Sequence, residues 1–321
     1  MAAMQSTGIT FGPVPSRRLG RSLGINNIPP KVCSYSCVYC QVGKTLQMET
    51  EPRDFYRPEE IQMEVKARLE ALYAKGETVD YLTIVPDGEP TLDRNLGQTI
   101  ELLRPLGIKI AVISNGSLLW QPKVRQALQK ADWVSVKIDT TDTRTWRRIN
   151  RPHPDLRLAQ VLKGIRIFAE EYAGVLTTET MQVKNINDTE ENILGVRNFV
   201  ASMTPFKAYL AIPTRPCAEK GICPPAEGQI TSAYYLFKEK ISEVECLIEY
   251  EGDNFSTTGD IVEDLVNITS VHPMREEAVK KLLSKAEADW SVVDRLVKKG
   301  ELVITEYLGD RFYVRRFRRT S

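Results

Sequence analysis

The sequence has almost no histidine: two residues in 321, His153 and His272. It has no apolar run long enough to cross a bilayer, no internal repeat and no low-complexity segment. Met1 to Thr7 lack the basic start and apolar core of a secretion signal. These absences argue against a membrane-spanning or secreted chain, so the expectation is a cytoplasmic protein whose thiols stay reduced. Excess charge is missing too, since 43 Lys and Arg stand against 42 Asp and Glu for a formal charge of +1. No global field draws the chain to nucleic acid or to an acidic partner, and any basic patch has to be local.

What the sequence does have is six cysteines, which in a reducing compartment argue for metal or redox chemistry before disulfides. Three fall in one eight-residue run, Cys33-Ser34-Tyr35-Ser36-Cys37-Val38-Tyr39-Cys40. Three thiolates this close hold three corners of an iron–sulfur cube and leave its fourth iron open for chemistry. Zinc is the rival ligand, but structural zinc sites close with four N or S donors and the nearest histidine is His153. Inert buried thiols are the third reading, although packing alone does not select three cysteines in a polar-flanked loop.

Short apolar stretches alternate with helical periodicity along most of the chain. Tyr81–Val85, Ile108–Ile113, Trp133–Ile138, Thr178–Val183 and Ala208–Pro213 read as buried strands, and Ser22–Asn27 as an earlier one. Pro58–Ala74, Asn95–Leu103, Gln121–Lys130, Asp155–Glu171 and Asp188–Ser202 read as helices between them. Such alternation makes an α/β fold of parallel βα units, which bind ligands at the carboxyl ends of their strands. Towards the end Gly259–Asn267, Arg275–Glu287 and Ser291–Lys299 read as three helices, followed by a hairpin of Glu301–Tyr307 and Arg311–Phe317. That order is winged-helix-like, or a structural cap.

The cysteine spacing, with the aromatic Tyr39 before the last cysteine, resembles the radical S-adenosylmethionine (SAM) superfamily. The resemblance implies a partial (β/α)6 barrel, with residues 1–235 as the core domain, while the order of elements sets 236–257 as a linker or extension and 258–321 as the winged-helix-like domain. It also implies a [4Fe–4S] cluster on Cys33, Cys37 and Cys40, whose open iron is chelated by the methionyl amine and carboxylate of SAM. An electron from a donor such as flavodoxin or ferredoxin then cleaves SAM to a 5′-deoxyadenosyl radical, which takes hydrogen from a substrate.

Pro86-Asp87-Gly88-Glu89-Pro90 is similar to the family's Gly-Gly-Glu motif, with Asp87 where the first glycine is usual; this implicates Gly88 and Glu89 in SAM binding. Ser114 and Asn115 match the end of the family's third strand, as contacts for the ribose or the methionyl carboxylate. Lys137 and Asp139 flank Ile138, so period-two geometry points both to one side of a strand, the barrel interior. Met181 and Val183, with Ile212 and Pro213, suit an apolar slot for adenine. Read locally, the same runs are a Gly-Pro turn, a Ser-Asn-Gly turn, a surface ion pair and aliphatic core. Arg17, Arg18 and Arg21 precede the cluster loop and suit a phosphate or carboxylate, or read as ordinary solvated arginines. Cys217, Cys223 and Cys246 read as ligands of an auxiliary cluster, as a dithiol pair or as separate buried thiols.

Gly12-Pro13-Val14-Pro15-Ser16-Arg17-Arg18-Leu19-Gly20, the cysteine loop, Lys137-Ile138-Asp139 and Ile149-Asn150-Arg151-Pro152 resemble radical SAM iron–sulfur oxidoreductases related to the tRNA wybutosine-synthesis enzymes. That implies a tRNA base as substrate, although no cysteine precedes Cys33 here, so the additional upstream cluster of those enzymes is not expected. Lys298, Lys299, Arg311, Arg315, Arg316, Arg318 and Arg319, interleaved with Phe312, Tyr313 and Phe317, suit phosphate contact and base stacking. Two other readings stand beside this enzyme: a cluster-bearing, redox-sensing DNA-binding regulator, and a glycyl-radical-activating enzyme acting on a protein. A regulator needs the cysteines but has no use for Glu89, Asn115 and Lys137 converging above them.

Overall fold

The computed structural model describes residues 8–248, 252–253 and 255–316. It opens with an antiparallel hairpin of β1 (Thr10–Ser16) and β2 (Gly20–Ile25). Two short strands, β3 (Val32–Cys33) and β4 (Gln47–Met48), then pair with each other across the cysteine loop. There follow α1 (Pro58–Tyr73), β5 (Tyr81–Ile84), α2 (Leu96–Leu103), β6 (Lys109–Ser114), α3 (Pro122–Leu128) and β7 (Trp133–Lys137). The core unit finishes with α4 (Thr143–Ile149), α5 (Leu158–Glu171), β8 (Val175–Met181), α6 (Glu190–Ala201), β9 (Lys207–Ala211), α7 (Glu227–Lys238) and β10 (Val244–Leu247).

The main sheet runs β1-β2-β5-β6-β7-β8-β9-β10, parallel throughout from β2 to β10. Its strands are buried on both faces, as in β6, where Ile110, Ala111 and Val112 are all fully buried. On α5, Val161, Ile165 and Phe168 recur at helical spacing and cover one face of the sheet. The sheet is curled, because the β1–β2 turn at one edge meets β10 at the other. Arg17 Nη1 donates to Cys246 O at 3.5 Å, and Leu19 packs with Ala111, Trp133, Tyr209 and Leu247 inside the curl. The turn therefore plugs the interior of the half-barrel.

The C-terminal unit consists of α8 (Ile261–Val271), β11 (Met274–Arg275), α9 (Glu276–Lys285), α10 (Ser291–Lys298), β12 (Leu302–Tyr307) and β13 (Asp310–Arg315). Its antiparallel sheet is ordered β11-β13-β12 over its own core of Phe255, Leu265, Ile268, Met274, Val279 and Leu282. A buried ion pair joins the units. Arg68 of α1 meets Asp264 of α8 at 2.8 Å, with side chains 8% and 0% exposed.

Several elements differ from the sequence reading. Strand β8 begins at Val175 and ends at Met181, three and two residues before the expected limits; Val183 lies beyond it, in a separate apolar cluster. The segment 236–257, read as a linker or extension, holds the end of α7 and all of β10. Only Leu247 of β10 is buried, and the strand pairs in parallel with β9 at the edge of the sheet. The segment β1 contains Pro13 and Pro15, which a strand tolerates at a sheet edge, where β1 lies.

Candidate active site

The cysteine loop lies at the carboxyl ends of the parallel strands, around a cavity of about 320 Å³. Cys33, Cys37 and Cys40 all line it, as do Tyr39, Gly88, Glu89, Ser114, Asn115, Lys137 and Met181. Asp139, Val183 and Arg21 do not line it, and the other sequence-derived site residues converge there. The loop is held from behind: Val38 N donates to Ile149 O (2.9 Å) and Ser36 N to Asn150 O (3.0 Å). Donors also reach the sulfurs themselves. Tyr35 N (3.5 Å) and Asn115 Nδ2 (3.6 Å) approach Cys33 Sγ, and Asn150 Nδ2 approaches Cys37 Sγ (3.5 Å).

Burial pushes all three thiols up: Cys37 to about 12, with Asp139 adding to the effect, Cys33 well above the usual thiol range beside Glu89, and Cys40 beside Asp87. Thiols so placed ionise when a cation takes up their charge, which is what iron supplies. Among the described residues no three His, Cys, Asp or Glu side chains converge on the position of one metal ion. A cubane cluster takes one thiolate per iron, so three thiols lining one cavity suit it, whereas a structural zinc closes with four N or S donors. The residues present fit an iron–sulfur cluster.

Glu89 organises two strand ends. Its Oε1 accepts from Thr91 N (3.1 Å), Thr91 Oγ1 (2.6 Å) and Ser114 Oγ (2.7 Å), and its Oε2 from Asn115 N (2.7 Å). The carboxylate is almost fully buried, so it positions Ser114 and Asn115 and is engaged by its own chain. Gly88 is packed against the cysteine loop: a Cβ there would lie 2.0 Å from Val32 O. Asp87 pairs with Lys31 at 2.7 Å, both buried. Burial moves the Asp87 carboxyl up to about 6, and Lys31 opposes that rise.

Lys137 and Asp139 do not share a side. Strand β7 ends at Lys137, the alternation stops, and Asp139 turns away from the cavity lining. Asp139 instead accepts from Tyr39 Oη, from Asn150 Nδ2 (2.6 Å) and from Met181 N (2.9 Å). It anchors Tyr39 and Met181, both of which face the cavity. Lys137 Nζ meets Glu179 Oε1 at 2.7 Å, and the other oxygen of Glu179 takes Arg18. Burial raises the Glu179 carboxyl, but the two cations outweigh it and hold the group at about 2. Glu179 was not singled out from sequence; its signal is a lone acid amid the apolar and threonine residues of β8. Arg17 lines the cavity beside Arg18, whereas Arg21 pairs with Glu77 and bonds Ser256 Oγ (2.9 Å) outside it.

The C-terminal unit supplies part of the wall, through Val271 and His272 at the end of α8. Gln41 Nε2 donates to Val271 O (3.2 Å), and Arg215 Nη1 donates to Gln41 Oε1 (2.9 Å). Burial and the neighbouring Arg215 hold His272 well below the usual histidine range, so it is neutral. The aromatic residues expected to stack on bases are unavailable, because Phe312 and Tyr313 are buried at 0% and 2% exposure. They are consecutive residues of β13: Tyr313 belongs to the unit's apolar core, and Phe312 lies under Arg275, whose guanidinium is 5.7 Å from the ring centre. Phe317, Arg318 and Arg319 lie outside the described residues. Tyr307 of the hairpin donates towards Pro213 O (3.3 Å) and Ile222 O (3.2 Å), pinning the segment that carries Cys217 and Cys223. Cys246 sits apart from it, on β10.

The radical SAM superfamily model matches residues 27–195. The UPF0026 protein of Methanocaldococcus jannaschii is 47% identical over 309 residues, 96% of each chain. A UPF0026 protein of Helicobacter pylori is 34% identical over 224 residues, 68% of this chain and 70% of that one. Among solved structures, TYW1 with a lysine-pyruvate adduct bound is similar in fold, with a TM-score of 0.52 at 17% identity, over 69% of this chain and 74% of that one. With the family match covering the cysteine loop and the strand ends around the cavity, the chain belongs to the radical SAM superfamily, whose members are enzymes that use SAM and an iron–sulfur cluster.

Proposed function

We propose that this chain holds a [4Fe–4S] cluster on Cys33, Cys37 and Cys40 and binds SAM across the ends of β5 to β8, to start hydrogen abstraction from a substrate in the same cavity. The single observation that carries the reading is the gathering of the three thiols with Gly88, Ser114, Asn115, Lys137 and Met181 around one cavity. When bound, the cluster and SAM supply a reductively generated 5′-deoxyadenosyl radical.

The chain's own residues do the rest. Asn115 and Asn150 direct N–H groups at the sulfurs, lowering the electron density that the ligands carry. Glu89 holds Ser114 and Asn115 at the β6 end, where their polar atoms meet ribose hydroxyls or a carboxylate. Lys137, fixed by Glu179, places an ammonium at the cavity wall for a carboxylate. Met181 and Ile212 supply apolar area for adenine, and Val271 with His272 limits solvent entry.

The order α8–β11–α9–α10–β12–β13, with sheet order β11-β13-β12, supports reading the C-terminal unit as a winged helix that presents the substrate. Arg295 and Lys298 are exposed on α10, which supports a nucleic-acid substrate such as a tRNA base.

The test is anaerobic reconstitution with iron and sulfide, reduction by dithionite, and quantification of 5′-deoxyadenosine and methionine. The Cys33→Ala/Cys37→Ala/Cys40→Ala variant serves as control. Product from the wild type alone is expected; a fully loaded wild type that leaves SAM intact, with or without cellular RNA, overturns the reading.

A further inference from the structure

The cysteine loop has a second face, which does not line the cavity. Besides the bonds from Ser36 and Val38 to the end of α4, Glu219 N donates to Val38 O at 3.1 Å, so the segment 217–223 also lies on the loop. Arg148 Nη2 donates to Asn185 O (3.2 Å) and Lys184 N to Cys223 O (3.0 Å), which brings the segment 183–187 to the same place. Between this face and the sulfurs stands a thin apolar layer of Val38, Tyr39, Ile149 and Val183.

The charge on that face is one-sided. The segments 41–46, 147–151, 183–187 and 218–223 carry six exposed cations, Lys44, Arg147, Arg148, Arg151, Lys184 and Lys220. Their single carboxylate is Glu219, which meets both Lys44 (3.0 Å) and Arg151. An excess of five positive charges here, on a chain of net charge +1, is local concentration and not a general property of the surface. None of the six cations lines the cavity, so they surround the ligand loop and leave substrate and SAM to other residues.

We propose that this face is the docking surface for an acidic one-electron carrier protein of the ferredoxin class. The inference rests on the function proposed above. In the step it serves, the reduced carrier loses one electron and the cluster on Cys33, Cys37 and Cys40 gains it; no bond or proton changes hands. Asn150 joins the face to the site, since its backbone carbonyl accepts from Ser36 and its side chain donates to Cys37 Sγ. Phosphates of RNA are also anionic, but a substrate has to reach the cavity, whereas an electron needs only the short path through the loop.

The experiment compares wild type with Arg148→Glu/Lys184→Glu/Lys220→Glu, which leaves the anchoring pairs of Glu219 intact. Titration calorimetry with oxidised ferredoxin, which cannot drive turnover, is expected to show at least about tenfold weaker binding by the variant. Wild-type binding is expected to weaken steeply between low and physiological salt. Dithionite-driven SAM cleavage is expected to be equal in the two proteins, while ferredoxin-driven cleavage falls in the variant. Equal ferredoxin affinities overturn the proposal, as does loss of tRNA binding in the variant with ferredoxin affinity retained. If dithionite yields no cleavage in wild type, the function reading fails, and the calorimetry still decides the docking surface.

Discussion

Glu179→Gln removes one charge from between two cations and almost nothing else. The carboxylate is 6% exposed and meets Lys137 and Arg18, whose side chains are 27% and 13% exposed. The two cations hold it at about 2 against an ordinary 4.5, a gap worth about 3 kcal/mol of folding free energy at neutral pH. Breaking a buried pair by removing one partner costs ~3–5 kcal/mol, so two routes give the same scale. The sign follows from the depression: an acid held low in the folded state contributes stability above its unfolded value and loses it as pH falls through the folded value. Urea denaturation of the iron-free proteins is therefore expected to show the variant about 3 kcal/mol less stable at pH 7. The difference shrinks below pH ~4.5 and disappears near pH 2. A variant within ~0.5 kcal/mol of wild type at pH 7, or a difference that persists unchanged at pH 3, refutes the reasoning.

Arg68→Ala leaves Asp264, which also accepts from Thr257 and Thr258, buried without its cation; a loss of ~3–5 kcal/mol is expected in thermal or urea unfolding. Gly88→Ala drives a Cβ into the Val32 carbonyl and should cost ~1–3 kcal/mol; it should also lower iron retained after reconstitution, measured against protein concentration. Asp87, raised to about 6, binds its proton more readily folded than unfolded. The Asp87 contribution to iron-free wild type should therefore rise by up to ~3 kcal/mol as pH falls from 7 to 4, read as the difference between wild type and Asp87→Asn in paired denaturation curves.

The shape of the site was legible because its signals are local. Three cysteines in eight residues, a Gly-Glu pair after one strand and Ser114-Asn115 after the next are each set by a few neighbouring residues. Parallel βα order then carries all of them to one end of a sheet. Helix and strand periods likewise predicted most elements to within a few residues, since apolar spacing records which face is buried. Asp139 shows where such reasoning stops: alternation holds only inside a strand, and β7 ends two residues earlier.

The remaining features depend on partners distant in sequence. Glu179 meets Arg18 across 161 positions and Arg68 meets Asp264 across 196, and no local pattern encodes such pairs. The strand β10 lies on the ladder of β9, Tyr313 is interior because it packs with residues of the C-terminal helices, and Phe312 lies against Arg275 of β11. By itself the sequence determined the family chemistry and the α/β order, through ligand spacing and hydrophobic period. Only the tertiary structure decided which charges neutralise one another, which aromatics are buried and which face of the cysteine loop is basic, because burial and electrostatics are properties of surfaces that meet only after folding.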